Sequence, residues 1–351
     1  MKNKYFAVMV LVLCITIVVA GCTNPLVSLR DFFNKKTAAI VEEPAKDEIK
    51  EDEDLSQASI GQPEGTRATV LYYKDADNLL VPVMRYIPKG DMGIAKAAIK
   101  GMIYSSELAE DIKPTGLLPT LPQGTEIKGA TIKEDGLAII DFTEDFLSFS
   151  SKEGEILGVK ALIYALTEFP NIQSVEIKVE GKIIDEMPFG TKIGEPLKRS
   201  EINLIKPTNM SDKMSKVMVY YQKKGSGYYS YFVPLTKLVS GYTNSAEAAL
   251  TALIEGPATS IGLRNPFPEG TSLLGVEVNN SVAFVNFSEE ILNITSLAEE
   301  RALVKAVTLT LGEFDSIAKV RLFVNGQTIE NTESIGADEY LDVPVFVNFY
   351  E

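Results

Sequence analysis

The sequence predicts an α+β fold made of two tandem copies of one small domain, each with two helices packed on one face of a mixed or antiparallel sheet. First, LPQGTEIKGATIKEDGLAIIDFTEDFL at 121–147 returns as FPEGTSLLGVEVNNSVAFVNFSEEIL at 267–292. Second, the motifs around it repeat in the same order, with Gly181 and Gly326 at the same offset of about 145 residues. Third, helical and strand periodicities alternate within each copy. A period this long indicates two domains rather than a solenoid.

The first 21 residues are predicted to be a lipoprotein signal peptide. Two lysines precede an apolar stretch, 5–20, that is short for a membrane span. Small residues Ala20 and Gly21 stand directly before Cys22, as in a bacterial lipobox, so we expect lipid on the Cys22 thiol. An ordinary signal peptide followed by a coincidental cysteine is the alternative. Cys14, the other cysteine, would leave with the signal peptide, so packed cores must stabilise the mature protein.

Residues 22–65 are predicted to be a lipid anchor followed by an acidic, disordered tether. A short mixed piece, TNPLVSLRDFFNKKTAAI at 23–40, precedes VEEPAKDEIKEDEDLSQASIGQPEG at 41–65, which has almost nothing to bury. The formal net charge of −14 disfavours nucleic acid as a partner, because binding it needs clustered Lys and Arg. The acidic tether should also hold the folded part away from an anionic membrane surface.

The domain boundaries follow from the repeat. The first copy is assigned to residues 66–203, a connector to 204–216 and the second copy to 217–351. The connector, LIKPTNMSDKMSK, is polar and short. We therefore expect the two copies to stay close together as a packed pair.

Each copy is predicted to open with a hairpin followed by a helix. In the first copy, strands at 70–73 and 79–86 flank KDADN, and in the second, strands at 217–221 and 228–233 flank KKGSG. A helix is predicted over 91–104, because its apolar residues recur at the spacing of one helical face.

A second strand–helix group completes the unit. Strands at 126–132 and 137–142 are joined by the turn KEDG. A helix is predicted at 156–169, followed by strands at 175–179 and 183–187. The resulting order, ββαββαββ, is typical of an α+β domain.

One acid changes between the copies. Asp141 is replaced by Asn286, whereas the hydroxyl residues Thr143 and Ser288 both precede two acids. Hydroxyls at a helix start accept backbone N–H groups, and acids suit the first turn, so Thr143 and Ser288 are predicted as helix N-caps. The repeated features are therefore interpreted as structural.

The composition leaves little room for catalysis. The chain has no histidine and would have no free thiol after processing, which excludes Ser-His-Asp and thiol nucleophiles and histidine-based zinc sites. A carboxylate pair that hydrolyses glycans remains an alternative, with Asp141 and Glu144 or Asp145 as candidates. Because their counterparts fit a capping role better, the chain is predicted to be no enzyme and to hold no cofactor or metal.

Two short motifs are interpreted as turns. Asp75, Asp77 and Asn78 resemble part of a calcium loop but lack its glycine and distal glutamate. The GSG at Gly225 lacks the GK[ST] of a phosphate loop.

A tyrosine-rich hairpin in the second copy is the one surface signal. Its alternation puts aromatic rings on both faces of the strands. Core packing is one interpretation, and a surface for a protein or glycan partner is the other. The candidates for that partner surface are Tyr220, Tyr221, Tyr228, Tyr229 and Tyr231.

These motifs resemble the GerM domain, which occurs in bacterial sporulation and spore-germination lipoproteins. The second copy matches better, and the first departs where YSSELAED at 104–111 replaces Glu-Gly-Pro. Lipobox, acidic tether and two such domains together resemble a tandem lipoprotein of this family. The residues that carry the match in the second copy are Leu250, Leu253, Glu255, Gly256, Pro257, Pro268, Gly270, Thr271, Phe287, Ser288 and Gly326.

The resemblance implies a fold like the ring-building motif of secretion-system proteins and no catalytic residues. It implies work in the assembly or localisation of the channel complex between mother cell and forespore, on the outer face of the mother-cell membrane. Membrane contact through Cys22 and protein partners in a sporulation membrane complex would follow. A peptidoglycan binder or weak cell-wall glycan hydrolase is the alternative function.

Overall fold

The structure, a computed structural model, describes residues 62–90, 93–205, 214–240, 245–257, 261–329 and 340–351. The predicted signal peptide, the predicted lipidation site Cys22, nearly all of the tether and most of the connector lie outside the described residues.

The first copy follows the predicted order with one extra helix. Short 3-10 turns follow α2 and β4. Its elements are β1 Thr66–Lys74, β2 Leu80–Pro88, α1 Ile94–Lys100, α2 Ser106–Ile112, β3 Ile127–Ile132, β4 Leu137–Phe142, α3 Lys152–Leu166 and β5 Ser174–Val179.

The second copy repeats this order without a counterpart of α2 among its described residues. Its elements are β6 Met214–Lys224, β7 Ser230–Ser240, α4 Ala246–Ile254, β8 Leu263–Arg264, β9 Leu273–Asn279, β10 Val282–Phe287, α5 Leu297–Leu311, β11 Lys319–Val324, β12 Gln327–Thr328 and β13 Leu341–Asp342.

The strands of each copy are divided between two sheets. In the first copy, β1 and β2 form an antiparallel hairpin, and β3, β4 and β5 form a separate mixed sheet in which β4 and β5 are parallel. Parallel neighbours need a long crossover, and α3 supplies it. The helices contact both the hairpin and the mixed sheet. The predicted α+β class with mixed sheets is confirmed, and the helices serve two sheets rather than one.

Serine caps begin the long helices earlier than the periodicity predicts. Ser151 accepts a hydrogen bond from the backbone N–H of Gly154 at the start of α3, and Ser296 accepts one from Glu299 at the start of α5. These side chains satisfy N–H groups that have no partner within the helix. Both serines lie 145 residues apart, so the cap belongs to the repeat.

The predicted last strand of the first copy, 183–187, is wrong. Among the described residues, an isolated bridge forms there, between Glu186 and Lys192. The fully buried carboxylate of Glu155, on the first turn of α3, accepts hydrogen bonds from the N–H groups of Phe189 and Thr191, both at 2.9 Å. Because a buried carboxylate needs such partners, the backbone turns towards α3 instead of extending along β5.

The two copies are joined by a reciprocal pair of asparagines. The Asn203 side chain binds the N–H and C=O of Leu80 in its own copy and the C=O of Pro234 in the other copy, at 2.8–2.9 Å. Asn203 has a positive φ of 46°, which asparagine tolerates.

The second asparagine makes the mirror set of bonds. The Asn348 side chain binds the N–H and C=O of Phe232 in its own copy and the C=O of Pro82 in the other, at 2.7–2.8 Å. We call Asn203 and Asn348 together the asparagine clasp. It relates the two hairpins by an approximate twofold axis.

The chain segments beside the clasp are also exchanged. Ile205, which follows the first copy, donates its N–H to Thr236 on β7 of the second copy at 3.0 Å. Tyr350, near the end of the second copy, donates its N–H to Met84 on β2 of the first at 3.2 Å. A single hydrophobic cluster then runs through both copies, so the expected packed pair shares one core.

Candidate functional site

The tyrosine-rich hairpin contributes mainly to the core. Tyr220, Tyr221 and Tyr231 are buried, so of the two interpretations core packing holds for them, and they are not available as a partner surface. The Tyr221 hydroxyl donates to the C=O groups of Ala252 and Leu253 at the end of α4. Strand alternation could not reveal this burial, because the covering groups come from distant segments: Tyr220 donates to Glu313 after α5, and Tyr231 donates to Asp75 of the first copy at 3.4 Å.

The two remaining tyrosines differ from each other. Tyr228 is fully exposed at the hairpin turn. Tyr229 is half-buried against Tyr350 and donates its hydroxyl to the C=O of Phe349 at 3.2 Å. Burial and the neighbouring Tyr350 hydroxyl raise the pKa of Tyr229 to about 12. Only Tyr228 is therefore left fully accessible to a partner.

The Asp141 and Asn286 pair performs one structural task twice. Asp141 accepts a hydrogen bond from the N–H of Gly181 at 2.8 Å, and Asn286 accepts the same bond from Gly326 at 2.8 Å. Either side chain offers a carbonyl-type oxygen there, so the charge is not needed. Glu144 also binds locally, since its N–H donates to the Glu180 carboxylate.

The predicted caps have the right position but not the predicted bond. Thr143 and Ser288 stand directly before short 3-10 helices, and neither hydroxyl caps its helix. Instead, Thr143 accepts the N–H of Glu126, and Ser288 accepts the N–H of Ser272. The hydroxyl of each residue is occupied by the N–H group of the neighbouring strand, so it ties the turn to that strand instead of capping the helix.

The DADN segment is a turn, as predicted, but it also holds a buried ion pair that the sequence did not reveal. Asp75, almost fully buried, accepts the N–H groups of Asp77 and Leu79 at 2.9 Å. Lys223 of the second copy contacts Asp75 at 2.6 Å and also contacts Asp77. Burial alone lowers the pKa of Lys223, but the bonds to both carboxylates outweigh it and raise the pKa.

The first copy has a cleft of about 670 Å³ that we call the copy-one cleft. It lies between the hairpin, α1 and the inserted helix α2. Its floor is apolar, and the ion pair of Arg85 with Asp111, at 2.5 Å, lies on its wall. The residues that line the cleft include Leu71, Ile87, Pro88, Lys100, Glu107 and Leu108.

The second copy is arranged differently at the matching position. Lys237 stands where the first copy has Arg85, and its ammonium donates to the C=O groups of Ala252 and Gly256 at 2.6 and 3.0 Å. Burial lowers the pKa of Lys237. Among the described residues, a short Glu-Gly-Pro turn stands in place of α2.

The second copy instead has a more polar cleft of about 600 Å³ near the other end of its hairpin. Gln222, Arg264, Asn293 and Thr295 contribute polar groups, and Phe267 contributes an aromatic edge. Arg264 is exposed and forms no ion pair with another described residue. Amides, hydroxyls and one cation beside an aromatic ring could bind a polar ligand.

Several kinds of site are absent from the described part of the chain. No group of three or more His, Cys, Asp or Glu residues in the described ranges could hold a metal ion. Within the same ranges, every helix is too short or too polar to span a bilayer.

Known proteins match each copy of the repeat separately. The profile of the Germane family, described as sporulation and spore germination, matches residues 70–185 and again 218–330. These two ranges cover well over half of the chain. The chain belongs to the Germane family. Each match falls on one copy and begins within the first strand of its hairpin.

A sporulation protein of Bacillus subtilis is similar to most of this chain, both in sequence and in the solved structure of its tandem domains. The spore germination protein GerM of Bacillus subtilis (strain 168) is 27% identical over 289 residues, which is 79% of this chain and 77% of that protein. The solved tandem GerMN domains of the sporulation protein GerM from Bacillus subtilis superpose with a TM-score of 0.70 at 28% identity. The superposition covers 82% of this chain and 100% of the solved chain. The resemblance to the GerM domain is therefore confirmed for both Germane copies, and the chain has a role in sporulation or spore germination.

Proposed function

We propose that this Germane protein is a non-enzymatic, lipid-anchored assembly or localisation factor for the channel complex between mother cell and forespore. It would act on the outer face of the mother-cell membrane, held there by lipid on Cys22. The supporting observation is the asparagine clasp with its exchanged segments, which makes one body from two copies. Two domains joined into one body on a tether suit the binding of protein partners better than the catalysis of a reaction.

The polar residues that were candidates for catalysis support the same proposal. The repeated position at Asp141 and Asn286 binds a backbone N–H in both copies, and the turn at Asp75 is used to join the copies. Asp141, Asn286 and Asp75 do not line the copy-one cleft or the polar cleft of the second copy.

A pull-down from sporulating cells tests the proposal. Chains with the natural Cys22 should recover membrane-complex proteins, whereas Cys22→Ala should leave the protein unanchored and reduce recovery. Metabolic labelling with a fatty acid measures the lipid itself. Recovery of no membrane-complex protein from intact, labelled chains would contradict the assembly role.

A peptidoglycan binder or weak glycan hydrolase is the second candidate, and the polar cleft of the second copy favours binding. The cleft contains side-chain amides and the cation of Arg264, and the exposed Tyr228 lies outside it at the hairpin turn. Groups of these kinds bind sugars or peptide carboxylates. Sedimentation with purified cell walls should then depend on Tyr228→Ala and Arg264→Ala. Release of glycan fragments that is lost in Asp141→Ala would show hydrolysis.

A further inference from the structure

We propose that the copy-one cleft binds residues 26–33 of this same chain, LVSLRDFF, which lie just after the predicted anchor. The inference extends the proposed function, because it sets the distance between the folded body and the lipid on Cys22. The cleft and the segment are each unusual in this protein, and their chemistries match.

The cleft is suited to an apolar segment with charged neighbours. Buried Leu71 and half-buried Ile87 and Leu108 give it an apolar floor and wall. Exposed Lys100 and Glu107 stand on its rim, and neither has an ion-pair partner among the described residues. An apolar groove with free charges at its edge is the form that binds amphipathic peptides.

The segment carries the complementary pattern. Leu26, Leu29 and Phe33 recur at i, i+3 and i+7, the spacing of side chains that enter such a groove. Arg30 lies between them and Lys35 follows, which suits Glu107 and the partly exposed Asp111. The acidic residues 41–61 that come next have few apolar side chains and could not fill the cleft.

The chain enters the fold beside the cleft. Thr66 pairs with Pro88, which lines the cleft, and Lys89 donates to the C=O of Gly65 at 2.7 Å. The 28 residues between Phe33 and Gln62 would span about 30 Å as a flexible chain, so the segment reaches the cleft without strain. A tethered ligand at this length has an effective concentration of about a millimolar, and weak contacts then suffice.

Docking would control how far the body stands from the membrane. With the segment bound, only a few residues separate Cys22 from the cleft, and the first copy lies against the membrane. With the segment released, some forty residues separate them, and the body can reach outward. The second copy differs at this position: Lys237 is bonded to the end of α4, and the described residues of that copy contain no helix in place of α2.

The single thiol of the processed chain provides the test. A chain that begins at Cys22, without lipid, carries a nitroxide on that thiol, and methyl resonances are recorded with the nitroxide oxidised and reduced. We expect at least a twofold loss of intensity at Leu71, Ile87 and Leu108. Little loss is expected at Val219 and Val239, which are the counterparts of Leu71 and Ile87 in the second copy. Leu29→Asp with Phe33→Asp should restore the intensities, whereas the matched change Ile40→Asp should not.

Two results would overturn the proposal. One is equal broadening in both copies, which a freely moving tether would give. The other is broadening of the first copy that persists in the double aspartate variant. Cleft signals that respond only to added lipid vesicles or cell-wall peptide would assign the cleft to those ligands instead. Because this chain carries no lipid, failure here leaves the labelling of Cys22 and the pull-down unaffected.

Discussion

The two Germane copies share their internal bonds but differ at their surfaces. In both, an asparagine after the last strand binds the hairpin of its own copy and reaches the other, and a serine caps the long helix. In the first copy, however, α2 and Arg85 form a cleft, whereas Lys237 in the second copy is bonded to the end of α4. The two copies therefore share one framework and differ in the surfaces that they present.

The largest effect should come from breaking the buried ion pair between the copies. Lys223→Met leaves the carboxylate of Asp75 buried without its cation, which should lower the free energy of unfolding by about 3 kcal/mol. Urea unfolding measures it. Lys128→Met, which removes an exposed pair with Glu180, should leave it almost unchanged, because solvent screens such a pair. Equal changes in the two variants would mean that the ion pair between the copies stabilises the fold no more than an exposed pair does.

The two halves of the asparagine clasp should differ in strength. Asn348→Ala removes three hydrogen bonds at a buried position and should cost about 3 kcal/mol. Asn203→Gly, which the positive φ accepts, removes the matching three at a half-buried position, where water can replace them, and should cost about half as much. Exposed Asn293→Ala serves as the control. A larger loss in Asn203→Gly would reverse the inferred order.

Contact between the insertion of the first copy and the hairpin turn of the second can be tested at a glycine. A Cβ at Gly225 would collide with the backbone oxygen of Thr115, so Gly225→Ala should destabilise by about 2 kcal/mol. Gly93→Ala, where a Cβ meets no atom within 4 Å, should have little effect. Thermal unfolding of the two variants compares them, and equal melting temperatures would contradict the close approach.

Alkaline pH should weaken the contribution of the Lys223 ion pair to the free energy of unfolding. The pKa of Lys223 is raised in the folded state, so its stabilisation is complete below the unfolded value of about 10.5 and is lost as pH rises through the folded pKa. The difference in unfolding free energy between the natural chain and Lys223→Met should therefore shrink above that pH. A difference that stays constant to pH 11.5 would count against the assignment.

The smallest effect should come from making the first copy resemble the second. Asp141→Asn keeps an oxygen that can accept the N–H of Gly181, so stability should change by less than about 0.5 kcal/mol. Asp141→Ala loses the bond and should cost about 1 kcal/mol. Equal losses in both variants would show that the charge, rather than the hydrogen bond, is what the first copy needs.

Local patterns in the sequence were enough for most elements. Alternation predicted β4 at its observed bounds, and the repeat predicted two copies of one α+β domain. Prediction failed where a distant group competes. The carboxylate of Glu155 binds the backbone at 189 and 191 and prevents the expected last strand, and strand neighbours take the hydroxyls of Thr143 and Ser288.

The candidate sites were less predictable than the fold. Turn chemistry correctly described the segment at Asp75, but it gave no sign of the cation 148 residues later that neutralises it. The tyrosine pattern indicated a hairpin with rings on both faces, but not that the other copy covers one of them. The helix α2 was missed because it is short and lies in an insertion without a counterpart in the second copy.

The sequence by itself determined the duplication, the class of each element and the absence of histidine and thiol chemistry, because these depend on composition and on spacings of a few residues. Tertiary structure alone decided how the copies join, which tyrosines are buried and where a cleft opens. The physical reason is that burial and hydrogen bonding of a side chain depend on groups far away in the chain. In this protein those groups are supplied by the other copy.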